Sequence, residues 1–153
     1  MVAWLGNTAL GQWLGQSTDR IAWLFVMHLC GLTLLMGATV VLGIRLVGLG
    51  FRSRQIAELA QDTSVFRNAG LVLMILSGSL IFTGGAVSYF EGDWFRRKMT
   101  FLALALLFNF TFFRKVTRAE ESRYSPLVRR LTGVLTLFLW FSVAVSGRAI
   151  AFF

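Results

Sequence analysis

The chain has 153 residues, 56% hydrophobic and only 14% charged, with a formal net charge of +8, one histidine, one cysteine and one proline. This composition departs from that of an average soluble domain and reads as a single membrane-embedded domain. One cysteine excludes an internal disulfide, and no CxxC or paired Cys/His spacing offers a zinc site.

The first twenty residues, MVAWLGNTALGQWLGQSTDR, lack the basic start and compact apolar centre of a cleavable signal peptide, so they are expected to be retained. Trp4 and Trp13 suit a short helix lying at the membrane interface, where indole rings are favoured. Ser17 or Thr18 then caps the first spanning helix. Crossing about 30 Å of hydrocarbon takes roughly 20 helical residues. Four stretches meet or approach that length, over residues 21–44, 69–90, 98–114 and 131–150. The third is short, and Lys98 and Arg114 at its ends are expected to bury their stems and raise their charges to the interface. The fourth contains Trp140 and continues beyond Arg148 as AIAFF. Backbone groups find no water in lipid, so these spans are helices. The segment SRQIAELAQDTSVF, residues 53–66, reads as a short amphipathic helix between spans one and two. A loop around Glu120, Glu121 and Pro126 links spans three and four. The expected fold class is all-α: an integral membrane four-helix bundle with a short N-terminal interfacial helix, one domain over residues 1–153.

Orientation follows from the basic residues. Arg45, Arg52, Arg54 and Arg67, with Arg114, Lys115, Arg118, Arg123, Arg129 and Arg130, place ten on one side. Arg20, Arg96, Arg97, Lys98 and Arg148 place five on the other. Cytoplasmic loops hold the basic excess, so both termini are expected outside the cytoplasm. Basic loops facing anionic lipid account for the net charge, and no nucleic-acid motif is present, so membrane lipids are the expected partners.

The only histidine, His28, and the only cysteine, Cys30, sit within the apolar run LFVMHLCGLT. At 3.6 residues per turn, Ile21, Leu24, His28, Gly31, Leu35, Thr39 and Leu42 share one narrow stripe. His28 lies roughly 10 Å below the outer boundary, counting about 1.5 Å per residue from Ile21. Gly78 and Gly85 align on the second span. Small-residue stripes of this kind admit a close helix contact or a flat ring. Two roles follow for His28. It either hydrogen-bonds across helices, to Ser77, Ser79, Thr83, Asn109, Ser142 or Ser146, or it is an axial ligand to a tetrapyrrole metal. In the second role Gly31, Gly78 and Gly85 flank the ring, and Arg96, Arg97, Lys98 and Arg148 pair with its propionates. A second ligand would come from Met27, Met36, Met74, Met99 or the His28 of another copy. Asn109 reads as a helix-to-helix hydrogen bonder.

A histidine early in helix one followed by glycines, then IRLVG; a Gly-rich second helix; FRRKM opening LALALLFNF; and a last helix closing with LW and SGRAIAF together resemble a known pattern. It is similar to a family of small uncharacterised bacterial four-helix membrane proteins, distantly related to copper-resistance protein D and to membrane b-type cytochromes. The resemblance implies a four-helix bundle in the bacterial inner membrane and haem b binding, with His28 the metal ligand that carries over. Two features of the family pattern are missing, an acidic residue where Gly43 stands and a second histidine near Phe113. The loss of the latter removes a two-haem route.

The spans hold no carboxylate, no nucleophile beside a base and no phosphate loop, so the protein is not expected to be an enzyme. Two functions remain. One is a cytochrome-like bundle holding one haem b through His28 for electron transfer. The other is a non-catalytic accessory subunit of a larger respiratory or photosynthetic membrane complex. A homo-oligomer or a place in a larger complex is expected in either case.

Overall fold

Each apolar run of the sequence forms a helix, and the boundaries fall where glycine, serine or proline interrupts it. The computed structural model describes residues 3–150 and residue 152. The predicted AIAFF continuation of the last span therefore lies partly outside the described residues, at Ala151 and Phe153. The start of the N-terminal segment, Met1 and Val2, also lies outside them.

Two short helices, α1 (Ala3–Gly6) and α2 (Ala9–Gly15), precede α3 (Thr18–Val47). Next come α4 (Ile56–Asp62), α5 (Ser64–Gly84), α6 (Ala86–Glu91) and α7 (Asp93–Phe108). Helix α7 runs through a π-helical stretch, Asn109–Phe113, into α8 (Arg114–Arg118). A 3-10 turn at Glu121–Arg123 leads to α9 (Pro126–Ala149), and no strand occurs among the described residues. Four rods, Thr18–Val47, Ser64–Gly84, Asp93–Arg118 and Pro126–Ala149, are long and apolar enough to cross a membrane. The protein is an all-α, multi-pass membrane bundle.

Local chemistry sets the ends. Ser17 is the extended residue before α3, as the sequence predicts, but its side chain makes no capping bond. Gly48 closes α3 at φ 88°, a left-handed conformation that glycine adopts without a Cβ penalty, and its N–H bonds to the Ile44 and Arg45 carbonyls. The second span stops at Gly84, short of the predicted residue 90, because Gly85 leaves the helical conformation and α6 starts anew. Two consecutive glycines have too little helix propensity to hold the rod together. Residues 64–66, predicted to belong to the linker helix, instead open α5. The third span is longer than predicted at both ends, beginning after the extended Gly92. Pro126 occupies the first turn of α9, and the Ser125 hydroxyl accepts from the Val128 N–H at 3.4 Å. The N-terminal segment forms two helices rather than one, with Thr8 capping α2 by accepting from the Gly11 N–H. Trp4 and Trp13 are both exposed.

Helix α3 is the centre of the bundle. It packs against α5 and α9, and α9 packs against α7. Helices α5 and α7 are not closely packed along their backbones; they meet through side chains, with Phe82 and Phe95 stacked at 5.1 Å. The predicted stripe on α3 is the packed face, with Leu24, Gly31, Leu35, Thr39 and Leu42 all buried. Glycines set both crossings of α3. A Cβ built on Gly31 would stand 3.0 Å from the Gly70 carbonyl oxygen, and one on Gly43 would stand 2.8 Å from the Leu137 side chain. Gly133 meets the Gly43 carbonyl oxygen in the same way, at 3.0 Å. An acidic side chain at position 43 would collide with α9, which accounts for the glycine there. At the basic end, Glu121 ties three elements together: it pairs with Arg45 at 2.6 Å and Arg129 at 3.2 Å and accepts from the Ile56 N–H at 3.0 Å.

Candidate functional site around His28

The N-terminal half of α3 faces α5 because its small and leucine positions recur on one stripe, and His28 falls on that stripe. Its Nδ1 lies 3.0 Å from Ser77 Oγ on α5. The Ser77 hydroxyl donates to the Leu73 carbonyl at 2.6 Å. Its single proton is thereby used, so Oγ accepts from the imidazole. This network assigns the proton to Nδ1 and leaves the lone pair on Nε2. Ser77 is one of the six partners that the sequence offered. Ser79 and Ser142, two of the others, donate to carbonyls of their own helices, as does Thr83. Asn109 makes no side-chain hydrogen bond among the described residues; it begins the π-helical stretch, where the rod widens.

Gly78 packs closely on the histidine: a Cβ there would stand 3.1 Å from His28 Cε1, so even alanine would ask the imidazole to shift by a few tenths of an ångström. Lys98 departs from expectation. Its aliphatic stem and Nζ lie over Gly147 of α9, within 3.4 Å of where a Cβ would be, and its charge bears on His28. Glycine at 147 leaves the room for this path against α9. It forms no ion pair among the described residues.

The remaining predicted site residues are placed differently. Gly31 does not front a gap for a ring, because the α5 backbone at Gly70 and Met74 fills that space. Gly85 lies outside α5 and faces the ring of Tyr89, 3.0 Å from where its Cβ would be. Arg96, Arg97 and Arg148 are exposed. Arg97 lies over the Trp94 ring at 4.6 Å and Arg148 over Phe152 at 4.2 Å. The structure thus brings Ser77 and Gly78 against His28, lays Lys98 over Gly147, and leaves the other residues elsewhere.

No group of three or more His, Cys, Asp or Glu side chains able to hold a metal occurs among the described residues. Met27 and Met99 are exposed, Met74 is buried against Gly31, and Met36 packs on the core. Cys30 is exposed on another face of α3. The position near which the family resemblance calls for a second histidine holds Phe113, 1% exposed, with the Arg67 guanidinium 5.7 Å from its ring centre. Sequence reading did not foresee this pair. A basic residue at the start of one span and an aromatic near the end of another were the only signal, and their meeting depends on how the helices pack.

No curated protein and no solved structure matches the chain. The family of unknown function DUF6644 matches over residues 1–153, and the chain belongs to that family.

Proposed function

We propose that the protein is a cytochrome-like bundle of the bacterial inner membrane that holds one haem b, or a related tetrapyrrole, through Nε2 of His28 and serves electron transfer rather than catalysis. One observation carries this reading. His28 Nδ1 lies 3.0 Å from Ser77 Oγ, whose own hydroxyl donates to the Leu73 carbonyl, so the imidazole proton is assigned to Nδ1 and the Nε2 lone pair is the one offered to a metal. A metal-ligating histidine usually donates its other N–H in this manner. Lys98 supports the reading from the opposite sign of charge: an inward ammonium without a carboxylate matches a propionate.

The donor chemistry and the counter-charge fit such a group. The seat expected at Gly31 does not, since α5 fills it. Haem, when bound, supplies the one-electron chemistry that none of these side chains possesses. Ser77 holds the imidazole plane and tautomer, Gly78 gives the ring its place on α5, and Lys98 contributes the balancing charge.

The second reading is an accessory, non-catalytic subunit in which the His28–Ser77 bond only joins α3 to α5. The close Gly31–Gly70 approach favours it, because that contact is a helix seam in its own right. An absorption spectrum decides between the two. Protein expressed with ample haem should show a Soret band and a reduced α band, both lost in His28→Ala while the helical content stays. A purified wild type without visible absorbance, or a His28→Ala variant with an unchanged spectrum, leaves the structural reading standing.

A further inference from the structure

Arg67 lies near the start of α5, at the basic end of the bundle, and is folded inward. Its Nε and Nη1 are buried and have no hydrogen-bond partner among the described residues. One face of the guanidinium is covered by the Phe113 ring at 5.7 Å. The charges that bear on it are those of Arg118 and Arg114, both of its own sign. The ion pairs found at this end take Glu58 and Asp62 to Arg54, and Glu121 to Arg45 and Arg129. None reaches Arg67, Arg114 or Arg118. A shallow cleft on the third rod is lined by Phe110, Thr111, Arg114, Lys115 and Arg118, and Arg67 reaches the same rod at Phe113.

A buried, unpaired guanidinium beside two further cations is unfavourable unless an anion completes it. The π-helical stretch contributes directly to this arrangement, since it carries Phe113 inward, 1% exposed, while Phe110 and Phe112 remain exposed. Cationic groups therefore meet an exposed apolar surface at the end of a span, the depth at which phosphate headgroups lie.

We infer that Arg67, Arg114 and Arg118 form a binding site for the phosphate of an anionic phospholipid, with Lys115 at its rim and the acyl chains lying along Phe110. The ligand chemistry is a phosphate ester. A lipid is favoured over free phosphate because the cleft continues from the charges onto apolar span surface: Leu107, one turn from Phe110, is 64% exposed. Arginine supplies planar, bidentate donors that suit phosphate oxygens, and each basic group near an anionic surface adds to affinity.

The test reconstitutes the full chain in phosphatidylcholine vesicles with and without phosphatidylglycerol, followed by native mass spectrometry and thermal unfolding. Wild type should retain phosphatidylglycerol through detergent release and unfold at a higher temperature in its presence. Occupancy should fall by about ten-fold or more in Arg67→Gln/Arg114→Gln. It should be unchanged in Arg123→Gln, an exposed loop residue at the same end of the bundle. Arg67→Met covers the chance that the double variant folds poorly. It removes the unpaired charge while keeping apolar bulk, so it should unfold no earlier than wild type in pure phosphatidylcholine and should lose the gain from phosphatidylglycerol. Equal phosphatidylglycerol retention in wild type and Arg67→Met overturns the site. Displacement of the lipid by millimolar inorganic phosphate, with the same thermal gain from phosphate alone, overturns the lipid assignment.

Discussion

His28 Nδ1 and Ser77 Oγ meet at 3.0 Å across the α3–α5 seam, and the serine hydroxyl donates its own hydrogen bond to the Leu73 carbonyl. Ser77→Ala removes the serine acceptor from the imidazole N–H. The expected loss is about 0.5–1.5 kcal/mol of bundle stability, read as an earlier thermal midpoint in detergent. If a tetrapyrrole is held by Nε2, this variant keeps its pigment but shifts its reduction midpoint, whereas His28→Ala loses the pigment. Ser79→Ala is the control, because that hydroxyl is exposed and bonds only within α5. Identical behaviour of the two serine variants would remove any role for the His28–Ser77 bond.

Gly31→Leu probes the same seam without touching a polar group. The new side chain would meet the Gly70 carbonyl and the Met74 backbone and side chain, each about 3.0 Å from the Cβ position. Overpacking of this kind costs about 2–3 kcal/mol, expected here as partial loss of the folded bundle. Gly37→Leu is the counterpart on the same helix, where a Cβ meets nothing within 4 Å, and should leave unfolding nearly unchanged. The effect of Gly31→Leu on any pigment then follows from loosened helices, so pigment and helical packing should decline together during thermal unfolding. Pigment loss with unaltered stability would restore the ring seat that the sequence suggested.

Glu121 is the anionic hub of the basic end. Glu121→Ala strands Arg45, whose side chain is 11% exposed, along with Arg129 and the Ile56 N–H. Breaking a fully buried pair costs about 3–5 kcal/mol. Glu121 itself is 37% exposed, so solvent screening reduces the expected loss to about 1–2 kcal/mol. High salt should narrow the difference between variant and wild type. A variant as stable as wild type at low salt would show that the hub is incidental.

Topology is open to a direct check. Ten of the fifteen basic residues flank one end of the rods, so a reporter inserted near Glu120 should report cytoplasm and one at the C-terminus the opposite side. The inverse pattern would assign dominance to the cluster Arg96, Arg97 and Lys98, and would place His28 near the cytoplasmic face.

Much of the architecture was legible because it depends on the composition of each segment. Apolar length identifies the four rods, since a helix in lipid satisfies its own backbone whatever its neighbours. The 3.6-residue period also picked out the packed face of α3 from Ile21 to Leu42. The rod ends were less legible. Gly84 and Gly85 end α5 early, and the π-helical stretch at Asn109–Phe113 has no marker in the run NFTFF.

The site divides in the same way. Sequence alone determined that one imidazole lies within a span and that a glycine lies one turn beyond it, because both facts depend on order along a single helix. Only the tertiary structure decided that Gly31 receives the α5 backbone, that Ser77 accepts a hydrogen bond from His28, and that Lys98 lies over Gly147. The same holds for the Arg67–Phe113 contact. Each is a relation between two helices. Helical periodicity fixes which face a residue lies on, but the rotation and crossing of neighbouring helices, set here by the Gly31–Gly70 and Gly43–Gly133 approaches, fix what that face meets.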